Sequence, residues 1–159
     1  MEQLRYGILS TSSIAPRFIA AVRQAAAGEI LALSSRTLTK AKEKAAHWEV
    51  PRAYGSHEEL LADKDVNIVY ISTVNALHYT WAKAALEAGK HVICEKPCTT
   101  TADQTRELYA LARQKQLFFH GGRKNAPASR YGGSPPPDSG RRSGRYSHGS
   151  AEPQFSRHL

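Results

Sequence analysis

The sequence predicts an α/β fold: a doubly wound parallel sheet over residues 1–119, followed by a disordered tail over residues 120–159. Three observations carry this expectation. Apolar strand candidates alternate with amphipathic helix candidates through short connections, the pattern of right-handed β-α-β units. The central run Ile68-Val69-Tyr70-Ile71 is almost continuously apolar and rich in β-branched residues, so it needs cover on both faces. After Phe119 the apolar periodicity stops.

Element by element, Leu4 to Leu9 is a short apolar strand that runs into the small polar sequence Ser10-Thr11-Ser12-Ser13. Ile14 to Ala27 reads as a helix with Ile14, Phe18, Ala21, Val22 and Ala25 on its buried face, and Gly28 is placed to end it in a left-handed conformation. Ile30 to Ser34 is a second strand. Leu38 to Trp48, rich in Ala and Lys, is helical and closes before Pro51. Ser56 and Glu59 form a capping box that opens a short helix through Leu60 and Leu61. Asn67 to Ser72 is the central strand, Leu77 to Ala88 a helix ended by Gly89, and His91 to Cys94 a further buried strand. Thr101 and Gln104 repeat the capping box ahead of a helix from Ala102 to Gln114, with Leu108, Leu111 and Ala112 on one side. Leu117-Phe118-Phe119 is the last strand.

The net charge of +8 is unevenly spread: residues 1–119 hold 15 Lys/Arg against 12 Asp/Glu, and residues 120–159 hold 7 against 2. The body is nearly balanced, so charge is no argument for nucleic acid there. The last forty residues contain seven Gly, five Pro and seven Ser, a composition unable to offset the roughly 1–2 kcal/mol per residue that backbone ordering costs. A nucleic-acid reading of Arg141, Arg142 and Arg145 has only Tyr131 and Tyr146 as aromatic support and is disfavoured. Two cysteines are too few for a disulfide scaffold, and no apolar run approaches the about 20 residues needed to span a bilayer. The first residues lack a secretory apolar segment, so no membrane association and a cytoplasmic location are expected.

In a doubly wound sheet a dinucleotide lies over the turn after the first strand, at the start of the first helix. The glycine positions of that turn are filled here by Ser10, Ser12 and Ala15, with Thr11 and Ile14 between them. Taken alone, this run is equally a loop with an N-cap. The tip of the second strand says more. NAD-selective sites place a carboxylate about 20 residues beyond the glycines; this strand ends Ser34-Ser35-Arg36, with Thr37 and Lys40 beyond, and Glu29 stands at its other end. A hydroxyl and a guanidinium fork suit a 2′-phosphate, so NADP is expected over NAD, the alternative being that Arg36 is an ordinary surface arginine. Cys94 and Cys98 raise a metal by their spacing, but no second pair of ligands accompanies them. A buried Cys94 and an incidental Cys98 thiol are the simpler reading, and no metal is expected.

Arg5-Tyr6-Gly7-Ile8-Leu9, Ser34-Ser35-Arg36, Asn75-Ala76-Leu77-His78 and the block Ala88-Gly89-Lys90-His91-Val92 followed by Glu95-Lys96-Pro97 together resemble the glucose-fructose oxidoreductase and inositol dehydrogenase family. Within it they are nearest the NADP-dependent dihydrodiol and xylose dehydrogenase branch. The resemblance implies a Rossmann-type domain and hydride transfer between NADP and a sugar-like or diol substrate. It implies that Thr73, Asn75 and His78 line the cofactor near its ribose and nicotinamide, that Glu95 pairs with Lys96 or the ribose, and that Lys96 is the catalytic residue beside the nicotinamide. Pro97 would stiffen that turn through a cis bond. Read alone, Lys96 is a solvent-facing lysine at a strand end, and His78 a residue that caps or packs its helix.

The family continues with a second domain that forms the substrate pocket and the homo-oligomer interface and supplies a catalytic histidine. Residues 120–159 carry no match to it, so the expectation is an incomplete chain of little or no activity that does not form the family's oligomer, or a non-enzymatic NADP-binding module. After the last strand, relatives of this kind continue Met-Glu-Ala where this chain has His120-Gly121-Gly122. Codons CAT-GGA-GGC would spell those residues and, read one base later, begin ATG-GAG-GC, which encodes Met-Glu-Ala, so the tail is expected to be a shifted reading frame.

Overall fold

The computed structural model describes residues 3–121. Six strands, β1 (Arg5–Leu9), β2 (Glu29–Ser34), β3 (Arg52–Tyr54), β4 (Ile68–Ile71), β5 (His91–Cys94) and β6 (Phe119–Gly121), form one sheet. Five helices connect them: α1 (Ala15–Gln24), α2 (Leu38–Trp48), α3 (His57–Ala62), α4 (His78–Glu87) and α5 (Ala102–Gln114), with a 3₁₀ turn at Asn75–Leu77 ahead of α4. The sheet order is β3-β2-β1-β4-β5-β6 and every adjacent pair is parallel, the doubly wound arrangement expected. The order reverses between β1 and β4, and that switch point is where such sheets take their ligands.

Alternation along the central strands sorts side chains into two layers. Leu9, Leu31, Val69 and Ile71 join Leu60, Leu86 and Leu108 of α3, α4 and α5 on one face. Ile8, Leu33, Ile68 and Tyr70 join Ile19, Val22, Ala41 and Ala45 of α1 and α2 on the other. All four residues of β4 are buried, as its composition requires. Each buried Leu or Ile in these layers contributes about 1.5–3 kcal/mol of transfer free energy. No helix of the described residues is long and apolar enough to cross a membrane.

Local chemistry explains the boundaries. The Ser56 hydroxyl accepts the Glu59 N–H at 3.1 Å and the Thr101 hydroxyl accepts that of Gln104 at 3.2 Å, so both expected caps form. The reciprocal bonds reach one residue further back than a standard box: Glu59 Oε2 takes the Gly55 N–H and Gln104 Oε1 that of Thr100. Gly89, with φ 77°, follows the last turn of α4 as expected.

Four details differ from the sequence reading. Helix α1 buries Ala15, Ile19 and Val22, a face rotated from the expected one; Ala21 and Ala25 are exposed, and Pro16 fixes the first turn. The left-handed residue that ends α1 is Ala26 (φ 48°), locked by the Ala27 N–H on the Val22 carbonyl at 3.1 Å. Gly28 serves another purpose. It has φ 140°, and a Cβ there would lie 2.4 Å from the Leu4 carbonyl oxygen. Strand β3 was not anticipated: three residues, Arg-Ala-Tyr, carry no periodicity, and pairing with β2 makes them a strand. Finally, β6 runs through His120 and Gly121, two residues assigned to the tail, because register with β5 places Phe119, His120 and Gly121 opposite Val92, Ile93 and Cys94. The remainder of the expected tail, and the shifted frame expected for it, lie outside the described residues.

Candidate functional site

The carboxyl ends of β1, β2, β4 and β5 deliver all the expected site residues to one edge of the sheet. Ser10 follows β1 with φ 100°, a conformation costly for any residue but glycine. Its N–H donates to the Ser34 carbonyl at 3.2 Å, binding the β1 turn to the tip of β2. The Ser12 hydroxyl donates to the Ser72 hydroxyl at 2.8 Å, which links the same turn to the end of β4. Thr11 and Ile14 are half-buried beside them, and Ala15, at the third glycine position, is fully buried against the sheet. No side chain caps α1 and no acidic residue stands in its first turn. The positive end of its dipole is thus left facing the crevice uncompensated, the arrangement that receives anions in this class of fold.

At the tip of β2, Ser35 is buried and its N–H donates to the Tyr54 carbonyl at 3.1 Å. Arg36 is exposed, and its guanidinium has no hydrogen bond or ion pair among the described residues. Thr37 caps α2 by accepting the Lys40 N–H at 3.4 Å; Lys40 is exposed, and the first turn of α2 also lacks an acid. Glu29 opens β2 opposite Arg5, at the far edge of the sheet. The β2 tip therefore presents two cations and no carboxylate.

Beyond β4, Thr73 is half-buried and Asn75 exposed. His78, 1% exposed, sets its Nε2 2.9 Å from the Thr73 carbonyl oxygen and its Nδ1 2.8 Å from that of Pro97. Both ring nitrogens thus lie within hydrogen-bond distance of backbone carbonyl oxygens. His78 spans the loops that follow β4 and β5. Val74, 67% exposed, and Leu77 put apolar surface on the rim.

Glu95 follows β5 and does not engage the Lys96 ammonium. Its Oε1 accepts the Tyr70 hydroxyl at 2.6 Å, and its Oε2 accepts the backbone N–H of Lys96 at 3.2 Å. The Tyr70 ring stacks on Phe18 of α1 at 3.8 Å between centroids, with 2° between planes. Burial, reinforced by the Glu95 carboxylate, pushes the Tyr70 phenol far above its ordinary value, so it remains a donor. The Lys96–Pro97 bond is cis, as the resemblance implied, and both residues are exposed.

Tyr70, Phe18 and Ser72 belong to this site and were not singled out in the sequence. Nothing in a buried strand marks which tyrosine carries a polar partner, although Ser72 at a strand end was a detectable signal. Three groupings result: Ser12 with Ser72, Thr73 with His78 and Pro97, and Tyr70 with Glu95 and Lys96. Arg36 and Lys40 stand apart from Lys96 by three strand positions, about 14 Å at the usual spacing.

Residues 4–122 match the family described as oxidoreductase family, NAD-binding Rossmann fold, known as Gfo/Idh/MocA. The chain belongs to this family. Among Gfo/Idh/MocA relatives, trans-1,2-dihydrobenzene-1,2-diol dehydrogenase of Bos taurus is 42% identical over 118 residues, 73% of this chain and 35% of that protein. D-xylose 1-dehydrogenase (NADP(+)) 2 of Haloferax volcanii is 41% identical over 106 residues, 67% of this chain and 33% of the relative. The crystal structure of KijD10, a 3-ketoreductase from Actinomadura kijaniata in complex with TDP-benzene and NADP, superposes with a TM-score of 0.70 at 33% identity, covering 74% of this chain and 37% of that one. The chain thus spans about a third of the length of the Gfo/Idh/MocA relatives it matches.

Proposed function

We propose that this chain provides the nucleotide-binding half of an NADP-dependent oxidoreductase that moves hydride between the cofactor and a sugar-like or diol carbon. The observation that carries the cofactor choice is the β2 tip, where Ser35, Arg36 and Lys40 stand and no carboxylate does. The NADP named for the xylose dehydrogenase and for the KijD10 complex points the same way. The substrate class rests on the names of the diol and xylose dehydrogenases.

The residues present suit the cofactor. The uncapped start of α1, with Ser10, Thr11, Ser12 and Ile14, would receive the pyrophosphate, and Ser35, Arg36 and Lys40 the 2′-phosphate. Thr73, Asn75 and Glu95 would border the ribose and nicotinamide. His78 would act from behind, holding Thr73 and Pro97 in place through its two carbonyl contacts. When bound, the nicotinamide supplies hydride chemistry. Lys96 would set an ammonium beside the reacting oxygen, stabilising developing alkoxide charge and easing removal of a hydroxyl proton. A cytoplasmic, reducing setting is part of this reading, supported by the low cysteine content, two in 159 residues.

The test compares dissociation constants for NADP and NAD in the wild-type chain and in Arg36→Glu. The wild type should prefer NADP. The variant should lose about 10-fold to 100-fold in NADP affinity, the worth of about 1.5–3 kcal/mol of charged hydrogen bonding. Equal or tighter binding of NAD by the wild type would remove the NADP assignment.

A further inference from the structure

Cys94 ends β5 and Cys98 follows Pro97, so two thiols bracket the Glu95-Lys96-Pro97 turn. Both are buried, 2% and 8% exposed, and share one core layer with Leu108, Ala112 and Phe119. Gly121 shows how they meet. It lies directly opposite Cys94 in the β5–β6 ladder, one strand spacing of about 4.8 Å away, and register partners point to the same face. A Cβ on Gly121 would fall 2.6 Å from Cys98 Sγ and 2.7 Å from Cys98 Cβ. Cys98 therefore occupies the space that a side chain at 121 would fill, in the same core layer as Cys94 and beside the strand position that pairs with it.

The two thiols also shift each other's protonation in opposite directions. The interaction with Cys98, together with burial and the Glu95 charge, pushes Cys94 up, and the interaction with Cys94 pulls Cys98 below the ordinary thiol value against the effect of burial. Cys98 is accordingly the sulfur that reaches the thiolate first, and it is also the more exposed of the two.

We propose that Cys94 and Cys98 form a dithiol–disulfide site, closed across the Glu95-Lys96-Pro97 turn by a hydroperoxide-class oxidant. The Cys98 thiolate attacks one oxygen of hydrogen peroxide; the O–O bond breaks, and the departing hydroxide takes a proton to become water. Cys98 is then a sulfenic acid. The Cys94 sulfur attacks the Cys98 sulfur, the S–O bond breaks, and the hydroxyl leaves with the Cys94 proton as a second water. Two thiols lose two electrons and one peroxide becomes two waters. The chain has two cysteines, so an intrachain bond has a single connectivity.

The experiment uses the full chain, reduced, freed of reductant, exposed to hydrogen peroxide, then denatured, alkylated and analysed as intact mass and peptides. The expected result is loss of both alkylation sites, an intact mass lower by two hydrogens, a linked Cys94–Cys98 peptide, and full reversal by dithiothreitol. Cys94→Ser should leave a sulfenic acid at Cys98 that dimedone captures, while Cys98→Ser should leave Cys94 alkylatable. Full alkylation of both thiols after peroxide, sulfinic acid at Cys98 without a linked peptide, or linkage only between chains would each overturn the proposal. The wild-type measurement decides the matter even where a serine variant fails to fold.

Discussion

At the scale of single residues, the site is held from behind by groups that never face the crevice. Tyr70 is the clearest. Its ring belongs to the α1 and α2 layer through the Phe18 stack, and its hydroxyl reaches across to Glu95, whose other oxygen holds the Lys96 N–H. Tyr70→Phe keeps the ring and removes one charge-assisted hydrogen bond from a partly buried carboxylate. The expected cost is about 1.5–3 kcal/mol in a denaturant melt, with weaker NADP binding as Glu95 loses its anchor. Unchanged stability and unchanged affinity together would show that Glu95 is held elsewhere. The sequence displayed the residues that face the crevice, because small side chains after one strand, a cation after the next and Glu-Lys-Pro after a third are local patterns. It did not display Tyr70 or the double carbonyl contact of His78. Those depend on which face of a buried strand points toward which loop, and on chain segments 19 to 25 residues apart meeting in space.

At the scale of elements, the helix starts are the best-specified features and give the most direct stability test. Ser56 and Thr101 each satisfy an N–H that the helix itself leaves open. Ser56→Ala and Thr101→Ala should each destabilise by about 0.5–2 kcal/mol, with Gly replacements costing only a few tenths, as read from the midpoint of urea unfolding. Equal losses for Ala and Gly would point away from capping. These starts were legible because a cap is a short-range pattern, and β4 was legible because its residues are apolar on both faces. The buried face of α1 was not. An Ala-rich helix offers two apolar stripes of similar strength, and only the sheet beneath decides between Ala15-Ile19-Val22 and its neighbour. The edge strands escaped for a related reason: β3 and β6 are three residues each, too short to show alternation, and their positions are set by the ladders of β2 and β5.

At the scale of the whole described unit, the sheet is tied at its amino-terminal edge by a polar knot remote from the crevice. Arg52 of β3 bonds both oxygens of Asp63 at 3.0 and 2.8 Å and one of Asp65 at 2.8 Å, and the Tyr54 hydroxyl adds a third bond to Asp63 at 2.8 Å. The Lys90 ammonium donates to the carbonyls of Asp63 and Val66 at 2.6 Å each, so the α3–β4 connection is clasped from β3 on one side and from the α4–β5 turn on the other. Burial alone would raise the Asp63 carboxyl. The bonds from Arg52, the Asp65 N–H and Tyr54 outweigh it and hold Asp63 below the ordinary carboxylate value. A carboxyl depressed in the folded state contributes stability that is fully present above its unfolded pKa, about 3.9, and is lost as pH falls through the folded value. Asp63→Asn should therefore be less stable than wild type at neutral pH, and the gap should narrow as pH drops below about 4. Glu107 is depressed as well, chiefly by its bond from Lys83, but that pair is half exposed and is weakened by salt. Asp63, with a side chain only 6% exposed, is screened far less. Thermal melts of both chains across acidic pH, at low and at high salt, separate the two contributions. A gap that stays constant with pH, or that vanishes in salt at neutral pH, would show that the Asp63 knot does not set the acid limit of this fold.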